Sequence, residues 1–191
     1  MSVALRRPWT IEQFLAWEEQ QELRYEFDGF EPVAMVGGTE AHAIIQSALL
    51  IAVGRRLNRP PCRILGSDLK LRVAGRVRYP DAMIICSPPD GRRSIVEDPV
   101  IVFEILSPST ARTDLFAKNT EYRATDSIQR YIILEQTHPE AVIFTRSGDH
   151  WLSEVVAGDT ATLALPEVGI ELPLSEIYRD IQPEATAEEV V

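Results

Sequence analysis

The chain reads as one mixed α/β sheet flanked by helices, in the α+β arrangement rather than as alternating βαβ units. Three observations predict it. Two segments carry helical periodicity, at the N-terminus and over residues 40–57. After Pro60-Pro61 the pattern changes to short apolar runs of strand length. A further helical segment then interrupts the strands before they resume at "QRYIILE" (129–135).

Each element has a local reason. "TIEQFLAWEEQQE" opens with Thr10 and has Gln13 three residues on, a capping-box spacing that starts a short helix. "LRYEFDGFEPVAM" predicts two short strands around an Asp28-Gly29 turn. "GGTEAHAIIQSALLIAVGRRLN" predicts a long helix capped by Thr39. Its apolar stripe runs Ile45, Leu49, Ala52 and Leu57, and Arg55 and Arg56 suit its C-terminal end. "CRILGSDLKLRV", "DAMIICS" and "VIVFEILS" predict three strands, with "PPDGRRSIVEDP" as loop. "RTDLFAKNTEYRAT" predicts a helix, and "AVIFTR" and "HWLSEVV" close the strand set. The domain is expected to span residues 1–180, and the acidic tail 181–191 is expected to be disordered.

Composition narrows the class. The 191 residues allow a real core. No apolar run approaches the length of a membrane span, and no apolar stretch follows Arg6-Arg7 as in a signal peptide. A cytoplasmic protein is expected. Cys62 and Cys86 stand in no metal-type spacing, and Cys86 is expected as a small buried hydrophobe. The net charge of −10 argues against indiscriminate nucleic-acid binding. Residues 54–78 run the other way, with Arg55, Arg56, Arg59, Arg63, Lys70, Arg72, Arg76 and Arg78 against only Asp68. Either this is a solvated helix end and hairpin, or it is a basic strip that holds a phosphate backbone.

The chemistry starts from "VIVFEILSPST" (100–110), where Glu104 interrupts an apolar strand. Burying that carboxylate is costly unless something compensates it. A hairpin centred near Arg93 pairs residues whose numbers sum to about 186, and Asp81 and Glu104 sum to 185. Their Cβ atoms are then roughly 5 Å apart. Two carboxylates so placed share a proton, meet a cation or bind a metal, and Mg²⁺ takes one or two carboxylates plus phosphate oxygens. Taken singly, Asp81 is an ordinary turn residue and Glu104 a partner for an arginine; the register is what makes them a pair. In the next helix Leu115, Lys118 and Tyr122 share a face, which aims Lys118 at the sheet. The alternatives for Lys118 are solvent or Asp114 at i−4.

"YEFDG" (25–29), "EAH" (40–42), "YPDAMII" (79–85), "VFEILSPST" (102–110), "DLFAKNTEY" (114–122) and "QRYIILE" (129–135) together resemble the PD-(D/E)XK superfamily of restriction-endonuclease-like nucleases. The resemblance is closest to a bacterial branch abundant in cyanobacteria. It implies an αβββαβ core with an N-terminal helix and hairpin, and a divalent-metal-dependent endonuclease acting on phosphodiester bonds, with DNA as the partner and Mg²⁺ or Mn²⁺ as cofactor. It makes Asp81 and Glu104 metal ligands, adds the backbone carbonyl of Ile105, and offers Glu40 as an accessory ligand. It makes Lys118 the catalytic lysine, because Leu106 occupies the position where the superfamily usually has one. It places His42 where it bonds a carboxylate or a phosphate, or is a satisfied structural histidine. Glu26 and Gly29 are expected to fix the hairpin. Arg55, Arg56, Arg63, Lys70, Arg72, Arg76 and Arg78 are the expected nucleic-acid contacts. Enzymes that cut both strands commonly dimerise, so a homodimer is compatible with this reading. The rival reading is an inactive nuclease-fold module that binds nucleic acid or a protein, and a carboxylate-pair glycosidase is a more distant third.

Overall fold

A computed structural model describes residues 7–35, 37–106 and 113–181. Helix α1 (Ile11–Glu18) begins with the expected capping box: Thr10 accepts from the Gln13 backbone and Gln13 returns a bond to the Thr10 N–H. Strands β1 (Tyr25–Phe27) and β2 (Pro32–Ala34) form the hairpin, and Gly29 takes the positive φ of +93° that its turn requires. Helix α2 (Glu40–Arg56) is capped by Thr39 and buries Ile45, Leu49, Ala52 and Val53.

The next stretch differs from the expectation. "CRILGSDLKLRV" is two strands, β3 (Arg63–Gly66) and β4 (Lys70–Val73), and they belong to different sheets. A turn through Ala74-Gly75 leads to β5 (Arg76–Arg78), a strand the sequence pattern did not reveal. Then come β6 (Ala82–Ile85), the two-residue β7 (Ile95–Val96) within the expected loop, and β8 (Pro99–Ile105). The helical segment after β8 is a π-helical turn (Thr113–Lys118) that runs on as α3 (Asn119–Arg123). Strands β9 (Arg130–Leu134), β10 (Glu140–Ser147) and β11 (His150–Ala157) follow as expected. A hairpin of β12 (Thr162–Leu165) and β13 (Ile170–Pro173), then α4 (Leu174–Ile177), complete the domain and were not foreseen. The tail at 182–191 lies outside the described residues.

The main sheet has the order β11-β10-β9-β8-β6-β3, and it is mixed because β8 and β9 are parallel. Together α2, β3, β6, β8, α3 and β9 make the αβββαβ core. The N-terminal hairpin joins a second sheet, β2-β1-β5-β4-β7. The central strands are buried on both faces, and alternation decides which face each residue serves. Ala82, Ile84, Ile101, Phe103 and Ile105 pack with α2, α4 and the β12–β13 hairpin. Met83, Ile85 and Val102 pack on the other face with Leu71, Val73, Tyr122 and Tyr131. Glu104 therefore points to that second face, between the main sheet and α3.

Cys62 and Cys86 form a disulfide, which corrects the reading of Cys86 as a free buried hydrophobe. The cause is register: β3 and β6 pair Arg63 with Ile85, so the residues just beyond stand opposite each other. Among the described residues no helix is long and apolar enough to cross a membrane.

Candidate active site

The β6–β8 ladder pairs Ala82 with Phe103 and Met83 with Val102. One residue further, Asp81 stands opposite Glu104, as the hairpin arithmetic predicted. Strand β6 begins only at Ala82, and the Asp81 side chain supplies the bond just before it: its Oδ2 accepts from the Ile105 N–H at 2.7 Å. Its Oδ1 lies 3.1 Å from His42 Nε2. The Asp81 carbonyl accepts from Gln46 Nε2 at 2.9 Å, one turn along α2 from His42. Helix α2 thus holds the aspartate from two successive turns. Gly38 permits the histidine's position, since a Cβ there would lie 3.1 Å from the imidazole Cγ and Nδ1.

Glu104 is only 3% exposed. Its Oε1 accepts from the Tyr122 hydroxyl at 2.7 Å and lies 3.0 Å from Lys118 Nζ. The i,i+4 spacing of Lys118 and Tyr122 is what brings both to one carboxylate. Burial, and then the Glu104 charge, push the Tyr122 phenol well above the usual tyrosine range, so it remains a donor. Lys118 is itself 5% exposed, so it does not snorkel to solvent. The Asp114 and Leu115 side chains lie outside the described residues.

A third layer closes the site from the second sheet. Glu26 accepts from the Tyr79 N–H at 3.1 Å and from Arg78 at 3.0 Å, and lies 3.7 Å from Lys118 Nζ. Arg78 in turn forks onto Glu121 of α3 with two bonds of 2.7 Å. Its guanidinium is held charged by Glu121 and Glu26 despite burial. Arg76 also reaches Glu121, at 3.1 Å. Glu26 therefore does more than fix the hairpin: it ties β1 to β5 and comes near the lysine.

These groups line one cleft of about 740 Å³. Its floor is Asp81, Glu104 and Ile105; the hairpin supplies Val33, Ala34 and Met35, and the turn before α3 supplies Ala117 and Lys118. Of the site residues named from the sequence, Asp81, Glu104, Ile105, Lys118 and His42 are brought together here. Glu40 is not. It lines a separate depression beside Arg55, Glu176 and Arg179.

The basic strip is not assembled either. Arg76 and Arg78 line the cleft, but Arg56 pairs with Glu176, and Arg63 bonds the Pro61 and Ser87 carbonyls. Lys70 is spent on Glu18 at 2.9 Å, and Arg72 lies near Glu12 and Glu97. Adjacency in sequence dispersed these residues over α2 and both sheets. The sequence reading did not assign Tyr122, Gln46 or Glu121 to the site. Tyr122 shared a face with Lys118 and was legible to that extent; the Arg78–Glu121 contact spans 43 residues and had no local signal.

Among the described residues no group of three or more His, Cys, Asp or Glu is placed to hold a metal. The donor set that is present is two carboxylates on neighbouring strands, with Ile105 lining the same cleft. It consists of hard oxygen donors, and it fits an ion that completes its shell with water and phosphate oxygens.

A mixed sheet with this core order, carrying a strand-end aspartate beside a strand glutamate and a lysine, defines a nuclease-fold protein. The chain belongs to the Uma2 family, described as "Putative restriction endonuclease", whose match covers residues 11–175. It is 30% identical over 175 residues to the uncharacterized protein slr1290 of Synechocystis, covering 89% of this chain and 91% of that one. A second Synechocystis protein, sll1609, is 27% identical over 169 residues, covering 85% and 96%. The fold is similar to that of a crystal structure from Anabaena variabilis described as a putative nuclease belonging to DUF820. The TM-score is 0.72 at 17% identity, covering 90% of this chain and 98% of that one.

Proposed function

We propose that the chain hydrolyses phosphodiester bonds in DNA with Mg²⁺ or Mn²⁺, using Asp81, Glu104 and Lys118. The observation that carries this reading is the floor of the cleft, where a buried glutamate bonded to a lysine stands beside an aspartate at the open end of the sheet. Asp81, Glu104 and the Ile105 carbonyl would hold the ion, which when bound supplies Lewis-acid polarisation of the phosphate and acidification of water.

The remaining work falls to the chain. His42 and the Ile105 N–H fix the two Asp81 oxygens, so the carboxylate is oriented before substrate arrives. Tyr122 and Lys118 both meet Glu104 Oε1, one as a hydroxyl donor and the other as a positive charge. That ammonium orients the attacking water and offsets the negative charge that develops on the phosphoryl oxygens. Arg78 and Glu121 lock the turn carrying Lys118 against the second sheet. Arg76, which lines the cleft, is partly exposed and pairs with Glu121, would meet a neighbouring phosphate.

The rival reading is an inactive nuclease-fold module. It rests on Leu106 at the usual lysine position and on the internal pairing of much of the basic strip. One experiment separates them: incubate supercoiled plasmid and circular single-stranded DNA with wild type, Asp81→Ala and Lys118→Met, in Mn²⁺, Mg²⁺ or EDTA. Metal-dependent cleavage of either by wild type alone supports the nuclease. Binding of metal and DNA with no cleavage selects the module, and cleavage retained in Asp81→Ala refutes this site.

A further inference from the structure

We infer that the cleft takes a single strand or a flayed end of nucleic acid rather than continuous duplex, with Phe116 at its edge as a stacking platform for an unpaired base. The inference rests on the nuclease reading and adds the form of substrate. Two independent observations carry it.

The first is depth. Glu104 and Lys118 are 3% and 5% exposed, and the cleft above them is walled by the hairpin, by β5 and by the turn before α3. At about 740 Å³ it has the size of a small-molecule site. A duplex is a stiff rod with its phosphates on the outside, and seating one of them at a buried glutamate between such walls requires the duplex to be bent or opened. A single strand reaches it readily, because its backbone bends at every nucleotide.

The second is Phe116. It is 68% exposed, the most exposed large apolar side chain among the described residues. It sits on the turn whose next two residues, Ala117 and Lys118, line the cleft. Leaving a phenyl ring in water gives up the stabilisation that burial would bring. Its carbonyl is bonded by Thr120, so the local backbone is built and the ring is presented outward. Val33, on the hairpin wall, is 44% exposed and adds apolar surface to the cleft. Stacking of bases on aromatic rings is how single strands are held without sequence preference, and Arg76, paired with Glu121 but partly exposed, stands among the cleft's lining residues.

The test compares one short oligonucleotide containing 2-aminopurine as a single strand and as a blunt duplex of the same sequence. Binding is followed by fluorescence quenching and anisotropy, with and without Mg²⁺. Wild type should bind the single strand at least tenfold more tightly than the duplex and quench the probe. Phe116→Ala should weaken single-strand binding roughly tenfold and lose the quench, Phe116→Leu should do nearly the same, and Phe116→Trp should restore both. Equal affinity for the two forms, or a Phe116→Ala protein that binds and quenches like wild type, overturns the inference and leaves the nuclease reading standing. Failure of both forms to bind overturns both.

Discussion

Lys118 Nζ lies 3.0 Å from Glu104 Oε1, inside the protein, across the gap between β8 and the helical turn that follows it. The nuclease pattern usually places this lysine on the strand itself, where Leu106 stands here. Here Lys118, from the helical turn, brings an ammonium beside the strand glutamate. A buried charge pair of this kind is weak grounds for stability, because desolvation offsets the attraction. The pair lines the cleft, where the proposed function gives it a role.

Lys118→Met should separate catalysis from folding. The methionine keeps the apolar stem and removes the charge, which lowers turnover by roughly 10²–10³-fold. Removing one partner of a buried pair also costs roughly 3–5 kcal/mol if Glu104 stays ionised. Cleavage rates on plasmid and on single-stranded DNA, read beside urea denaturation curves, check both. A variant that cleaves at the wild-type rate would remove Lys118 from the mechanism.

Metal binding should depend on Asp81 and not on Glu40. Titration of Mn²⁺ by calorimetry should give heat with wild type and with Glu40→Gln, and none with Asp81→Ala. Glu40 lines a different depression, so its loss leaves the site intact. Equal loss in both variants would mean that the ion is held elsewhere.

Alkaline stability should reveal the buried phenols. Tyr79, Tyr122 and Tyr178 are all raised above the usual value of 10.0, each chiefly by burial. The folded state therefore keeps these protons while the unfolded chain releases them. Their contribution is complete below pH 10 and falls as pH rises toward the folded values. Urea midpoints should begin to drop near the usual tyrosine value of 10.0 and keep falling above it, and Tyr122→Phe should flatten that drop. At neutral pH the same variant should be less stable by about 1.5–3 kcal/mol, since a hydrogen bond to a charged group is lost.

Two arginines from one stretch of sequence should behave oppositely. Arg78→Ala leaves Glu121 and Glu26 without their main buried partner and should cost roughly 3–5 kcal/mol. Arg72 is 41% exposed and lies 3.6 and 3.8 Å from its carboxylates, so Arg72→Ala should change stability by less than about 1 kcal/mol. Thermal melts of the two variants decide this directly. Similar losses in both would show that charge count, and not burial, governs the network.

The sequence by itself determined what is local or periodic. Thr10 with Gln13, Thr39, and the Asp28-Gly29 turn are short-range bonds and backbone preferences, so they were legible without a fold. Strand alternation and one hairpin centre were enough to set Asp81 beside Glu104, because a register is an arithmetic constraint once its turn is located. The helix period aimed Lys118 at the sheet for the same reason. Tertiary structure decided whatever depended on which strand lies next to which. It split residues 62–73 between two sheets, set Cys62 opposite Cys86, and sent Arg78 to Glu121. It scattered a basic run into separate ion pairs and carried Glu40 away from the site. These outcomes follow from strand pairing within each sheet and from the packing of sheets and helices on one another, where a residue's neighbours come from remote parts of the chain and no short-range preference specifies them.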